Sequence, residues 1–479
     1  MKNQSINVNK FIIISYLLLN LFCAPTKLNS TCDPESKSFV ITALLEFGSN
    51  DGSFLCPIFS GLSPLRFHYG TDFLIIQQNE TINPITPFST EPIVHCESNP
   101  TLPQGLILDE SNCTISGTSL VGIDSTKYHI TAKSSNKQTT IPLVIKSLFI
   151  PKFAYVANIG SNLINSYTIN ANSGVLNNTG FVAAGGGPES MAISPNQRFL
   201  TVANRNTNNL SQFSINQTNG NLTLVETVPS GGNTPISISY HPKKDLLYVG
   251  NSNNYSTFSV NPLTGNLLLV NTLAHSNASG SIIVEPFGNF FYRSNYNGNS
   301  IESFPIDINT GFLSQNPIQS IGSGFRPRRL AFHTNGNTLY VAYETHSSIS
   351  TYQIDSNTGF MSSIFPEMPS TGVVTGSIVT DPKGRFFYIA NRDTNTISMF
   401  ATNPVTGELF PLSPTTIATG TEPLGITVDP SGKFLYNTNI AIATAGIFTI
   451  NQSNGLLTPN GNVGTSTSPA VILTSGTNP

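Results

Sequence analysis

Tryptophan is absent from this 479-residue chain, and charge is scarce: Lys and Arg total 22 and Asp and Glu 25, a net charge of −3. No Lys/Arg run or basic stripe occurs, which argues against a surface that tracks nucleic-acid phosphates. The missing indole weakens any reading as a lectin that stacks sugars on broad aromatic rings. Cysteine is limited to five residues. No Cys-x-x-Cys pair or His-rich cluster occurs, so neither a metal site nor a cofactor is expected. Apart from an early run at Phe11–Phe22, no apolar stretch approaches the roughly 20 residues of a membrane-spanning helix.

Polarity comes instead from Asn, Ser, Thr and Gly, the residues of tight turns and strand edges. That balance belongs to an all-β protein outside the cytoplasm. The N-terminus agrees: Lys2 and Lys10 precede the short apolar run, as in an export signal over residues 1–23. Cys23 follows the run directly, in the manner of a lipoprotein signal whose cysteine is acylated, although Phe22 stands where a small residue is usual. Acylation of Cys23 and simple cleavage with release both remain open. The first gives a lipid-anchored envelope or surface protein, the second a secreted one. Cys32, Cys56, Cys96 and Cys113 then form an even set, expected to be disulfide-bonded. Four cysteines allow three pairings; Cys96–Cys113 is preferred, with Cys32–Cys56 second.

A repeat fills the last two-thirds of the chain. Its copies centre on Tyr155-Val-Ala-Asn158, Thr201-Val-Ala-Asn204, Tyr248-Val-Gly-Asn251, Tyr292-Arg-Ser-Asn295, Tyr340-Val-Ala-Tyr343, Tyr388-Ile-Ala-Asn391 and Tyr436-Asn-Thr-Asn439, with final residues 46, 47, 44, 48, 48 and 48 apart. A period of about 40–50 residues built from short apolar runs signals a β-propeller. Each copy carries four strand-like runs separated by turns such as Asn403-Pro-Val-Thr-Gly407 and Asp429-Pro-Ser-Gly432. The turns Asp381-Pro-Lys-Gly384 and Asp429-Pro-Ser-Gly432 lack the spaced carboxylates of a calcium loop. The first copy lacks a preceding strand, and an extra one, Ala470-Val-Ile-Leu-Thr474, ends the chain. The C-terminal strand should therefore pair into the first blade and close the ring, leaving no open edge. The motif asparagines are expected to tie each strand end to the next turn.

Residues 24–64 form a separate N-terminal segment, and 65–149 a compact β unit. Leu102-Pro-Gln-Gly-Leu106, Cys113-Thr-Ile-Ser-Gly-Thr118, Ile82-Asn-Pro-Ile-Thr-Pro87 and the strand Tyr128-His-Ile-Thr-Ala132 resemble a bacterial Ig-like domain family. The resemblance implies a β-sandwich acting as a spacer or adhesion module, and a structural stalk is the plainer reading. Residues 150–479 would be the propeller. The overall expectation is all-β: an Ig-like sandwich followed by a seven-bladed propeller closed by its C-terminal strand.

The pattern Tyr-Val-Ala-Asn, Tyr-x-Ile-x-x-x-x-Gly, Pro-x-Gly-x-Phe-x-Tyr resembles the seven-bladed lactonase family and related YVTN propellers over residues 152–479. The resemblance implies an axial site of His, Arg and Glu that polarises a lactone carbonyl and moves protons. Matched position by position, Arg326-Pro-Arg-Arg-Leu-Ala-Phe332 keeps Pro327, Arg328 and Phe332 but has Arg329 where the family has His. Glu344 and Asn391-Arg392 match. Ser279-Gly-Ser-Ile-Ile283 lacks the family's other His, and Asn295-Tyr-Asn-Gly-Asn299 alters its acidic motif. A permanently protonated arginine cannot serve as the missing base. His333, placed in a turn between blades, and His346, in a surface turn, are not expected to substitute.

Three functions follow from these residues. In the first, Arg328 and Arg329 help form a cationic pocket for an anionic small molecule, and the protein is an exported binding or scaffolding module. In the second, Glu344 is the base and Arg328 and Arg392 the oxyanion stabilisers of a lactone hydrolase. In the third, the propeller face and Ig-like unit form a surface adhesin that meets a protein ligand. The membrane enters only through the lipid anchor, and nucleic acid is not an expected partner.

Overall fold

A computed structural model describes residues 65–477 apart from 276–278, 345, 364–365, 370–371 and 373–374. The export signal, Cys23 and the Cys32–Cys56 pair lie outside the described residues.

The first unit is a sandwich. One sheet runs in the order Phe73–Gln77, Gln138–Leu148, Ile123–Lys133, His95–Asn99; the other is Thr81–Ile85, Ile115–Thr118, Leu106–Leu108. Alternation sends Tyr128, Ile130 and Ala132 inward with Ile76, Ile115, Leu143 and Ile145, while Lys127, His129 and Thr131 stay more open. Cys96 and Cys113 are bonded across this core, both buried, with their Cα atoms 5.3 Å apart.

Seven further sheets follow, and their first strands touch one another in a closed cycle. Pro188–Ile193, Ser237–Tyr240, Ser279–Val284, Pro327–Phe332, Thr375–Thr380, Pro423–Val428 and Pro469–Thr477 each contact the next, and the last contacts the first. These strands therefore line a common axis, and the blades radiate from it. Blade one is Pro469–Thr477, Ile150–Asn158, Leu163–Ile169 and Leu176–Ala183, so the C-terminal strand supplies its axial edge. The closure expected from the repeat phase is present.

Second strands carry the core. Phe386–Asn391 is buried at every position because it is flanked by strands and covered by blades on both faces. A recurrent latch joins the blades. Tyr155, Tyr248, Tyr292, Tyr340, Tyr388 and Tyr436 each donate their hydroxyl to a glycine carbonyl in the outer turn of the next blade, at 2.6–3.0 Å. The last latch, Tyr436 to Gly174, runs from blade seven back to blade one. These turn glycines must be glycine. Gly455 sits at φ +78°, and a Cβ there would lie 2.3 Å from the Phe386 ring. Blade two has Thr201 at the tyrosine position, and its hydroxyl instead meets Tyr240 at 2.6 Å.

The asparagines behave as expected. Asn204 Nδ2 donates to Asn209 and Ser211, and Asn391 Nδ2 to Thr396 and Ser398, bridging the turn after the second strand. One placement is corrected. His333 lies within blade five, in the hairpin between Pro327–Phe332 and Thr338–Tyr343, and not in a connection between blades. The blade begins one strand earlier than the apolar motif that marks the repeat.

Candidate functional site

Two kinds of turn separate the propeller's faces. Hairpins between first and second strands lie on one face; the turns after second strands, and the chain entering each first strand, lie on the other. The residue directly after each repeat motif therefore occupies an equivalent place on that second face. The set reads Ile159, Arg205, Ser252, Tyr296, Glu344, Arg392 and Ile440. Near them, at the entry to first strands, stand Glu189, Arg326, Arg328, Arg329 and Glu422.

Arg328 and Glu344 are brought together: Arg328 Nη1 forms an ion pair with Glu344 Oε1, each side chain 24% exposed. The other carboxylate oxygen accepts from the Tyr296 hydroxyl, supplied by the neighbouring blade. Arg326 backs that phenol, with its guanidinium 5.3 Å from the ring centroid and Nη1 3.4 Å from the hydroxyl. Burial pushes the Glu344 carboxyl above its ordinary range, opposed by the field of Arg392. The Arg328 and Tyr296 bonds both favour its ionised form.

The remaining arginines are held differently. Arg392 pairs with Glu422 at 2.9 Å, both side chains more than a third exposed. Arg329 donates Nε to the Gly376 carbonyl at 2.8 Å. Burial, with the like charge of Arg328 next, lowers its pKa to about 10, so it remains cationic. Arg205 reaches Glu189 at 3.8 Å. Arg328 is also lowered, chiefly by burial; Glu189 opposes this, while Arg392 and Arg205 add to it. These charges thus act on one another around the axis, five guanidinium groups against three carboxylates.

The histidines are occupied elsewhere. His333 Nε2 bonds the Gly384 carbonyl at 2.9 Å and Nδ1 accepts from the Asn335 N–H at 3.2 Å, at the opposite end of blade five from Glu344. His346 shares the loop of Glu344 but stacks on Phe325, with centroids 3.8 Å apart, and bonds Ser348 at 2.7 Å. Ser279–Val284, where one family histidine would fall, is the axial strand of blade four; there the Ser281 N–H donates to Ser294 Oγ at 2.7 Å. Among the described residues no group of three or more His, Cys, Asp or Glu is placed to hold a metal.

Tyr296, Arg326, Arg205, Glu189 and Glu422 were not singled out from sequence. Their signal is positional: Tyr296 and Arg205 immediately follow a motif asparagine, as Arg392 does. A second unanticipated feature is Arg293, at the place of a motif valine. It is buried between blades three and four, bonded through Nε and Nη2 to Glu302 at 2.6 Å and lying 5.4 Å from the Tyr255 ring.

Fold and site define a closed seven-bladed β-propeller with an arginine-rich axial face bearing one clamped carboxylate. Residues 148–473 match the family described as lactonase, 7-bladed beta-propeller, in overlapping segments 148–223, 188–275, 269–375 and 363–473, and the chain belongs to that family. Residues 66–147 match the family described as "Putative Ig domain". Similar solved structures include a "putative 6-phosphogluconolactonase" from Bacteroides fragilis, at TM-score 0.62 and 19% identity, covering 68% of this chain and 98% of that one. Another is the periplasmic gluconolactonase of Pseudomonas aeruginosa, at TM-score 0.60 and 19% identity, covering 68% and 99%. A Lactobacillus plantarum protein aligns at TM-score 0.59 and 20% identity, covering 68% and 99%. No curated protein matches the chain.

Proposed function

We propose that this is an exported binding module on a lactonase fold, whose axial arginines hold a small carboxylate- or phosphate-bearing ligand. The observation that supports it is the state of Glu344. Arg328 holds one carboxylate oxygen and Tyr296 the other, so the acid aligned with the family's chemistry has both oxygens engaged by protein partners. Among the described residues no histidine bonds to it: His346, in the same loop, is turned to Phe325 and Ser348. The surplus of guanidinium groups suits planar oxyanions through paired N–H donors. An incoming anion would exchange with Glu344 for Arg328 and draw Arg392 away from its exposed partner Glu422.

Lactone hydrolysis is the second reading, favoured by the desolvated Glu344 and by the gluconolactonases among the similar structures. Glu344, released from Arg328, would take a proton from water as the oxygen attacks the lactone carbonyl. Arg328 and Arg392 would stabilise the oxyanion, and the ring C–O bond would then break with return of the proton to the alkoxide. Lactone hydrolysis by the full protein and by Glu344→Gln separates the readings. Binding of gluconate or 6-phosphogluconate with equal background turnover in both proteins supports the module. Turnover lost on substitution supports the enzyme.

A further inference from the structure

The hairpin face of the propeller, opposite the arginine face, carries a chamber. Its volume is about 340 Å³, at the small end of ligand pockets. Turns and axial strands of several blades wall it, through Pro242, Pro286, Phe332, Thr380 and Val428. The Ig-like unit supplies the remaining side with Asp124, Ser125 and Lys146. That unit is therefore seated over the axis and is not a detached stalk. Lys127 supports the seat, its ammonium 5.2 Å from the Phe287 ring centroid.

Lys146 is out of place in such a chamber. Its strand, Gln138–Leu148, buries both neighbours, Ile145 and Ser147, in the sandwich, and Lys146 projects to the other side. Among the described residues it makes no hydrogen bond and no ion pair. Asp124 and Asp381 act on it only through space, and burial lowers its pKa. The nearby groups are committed. Asp381 is fully buried and held by Arg385 at 2.8 Å, and both His333 nitrogens are used by backbone groups. Asp124 is exposed, so the chamber communicates with solvent at that side. Lys146 is half-buried, and an unpartnered ammonium in a partly desolvated chamber favours an anion as its ligand.

We propose that the chamber between the Ig-like unit and the propeller is a binding site for a small oxyanion, a carboxylate or phosphate, held by the Lys146 ammonium. The apolar prolines and Phe332 would cover the ligand's carbon atoms, and Thr380 and Ser125 stand as hydroxyl partners. The site is distinct from the arginine face and does not depend on what that face binds.

The test is NMR of the full protein carrying ¹³C-methylated lysines, with the Lys146 resonance identified by its loss in Lys146→Arg. Acetate, lactate and inorganic phosphate are titrated at constant chloride. A saturating shift at Lys146 that exceeds the shift of Lys133, which is partly exposed and already paired with Glu97, supports the site, and the probe that produces it tells carboxylate from phosphate. The shift should persist in Arg328→Ala, which disables the other face. A Lys146 resonance that is unmoved by all three probes, or that moves no more than Lys133, overturns the proposal. As a second readout, the probe should raise the melting temperature of the wild type more than that of Lys146→Met. Equal rises in both also overturn it.

Discussion

Truncation after Gly464 should unfold the propeller as a whole. The deletion removes Pro469–Thr477, which pairs with Ile150–Asn158 at eight positions and forms the axial edge of blade one. It strips Ile472, 1% exposed, from a core shared with Ala154, Val156, Tyr436 and Ile447. Loss of one such side chain costs about 2–5 kcal/mol. The lost ladder adds on the order of 1 kcal/mol per hydrogen bond. Blades two and seven also lose the neighbour against which their axial strands pack. Together these terms approach or exceed the about 5–15 kcal/mol that typically separates folded from unfolded domains. Thermal unfolding and size-exclusion chromatography provide the assay. Full-length protein should melt in a cooperative transition, Ile472→Ala at a lower temperature, and the truncated chain should aggregate through the bared edge of Ile150–Asn158. A truncated protein that stays monomeric and melts with the full-length one would refute ring closure by this strand.

Three further perturbations probe other parts of the fold. Arg293→Ala leaves Glu302 buried and uncompensated, and should cost about 3–5 kcal/mol in denaturant unfolding; Arg293→Met combined with Glu302→Leu should recover most of it. His241 is buried, with Nε2 3.0 Å from the Gly288 carbonyl, and burial lowers its pKa to about 4. The unfolded chain therefore binds the proton first. Stability is complete above about pH 6.5 and falls by on the order of 3 kcal/mol as pH drops to about 4. His241→Asn should flatten that slope in urea titrations run across the range. Cys96→Ser opens a loop of sequence separation 17, and should destabilise the Ig-like unit by about 3 kcal/mol, read as a lower melting temperature.

Architecture was legible because it is repeated. Seven near-copies of one apolar strand fix the period, and the missing first strand with the surplus last one fixes how the ring closes. The position of His333 was misread because the most recognisable motif is a blade's second strand, which hides the axial strand before it. The site was legible in part. Arg328, Glu344 and Arg392 follow from the motif positions, and the first two do meet. Tyr296 was passed over because it replaces an acidic motif and so read as a loss. Its partnership with Glu344 depends on one blade end facing the next, which local pattern does not encode. Lys146 was invisible for a similar reason. An isolated lysine in an alternating strand reads as solvated until a second domain is placed over it.

Turnover measured against Glu344 tests the account most directly. Lactone hydrolysis by the full protein and by Glu344→Gln should be indistinguishable from background, while gluconate or 6-phosphogluconate binds the wild type and binds Arg328→Ala at least tenfold more weakly. Hydrolysis above background that disappears with Glu344→Gln would contradict the account and make the protein a lactone hydrolase.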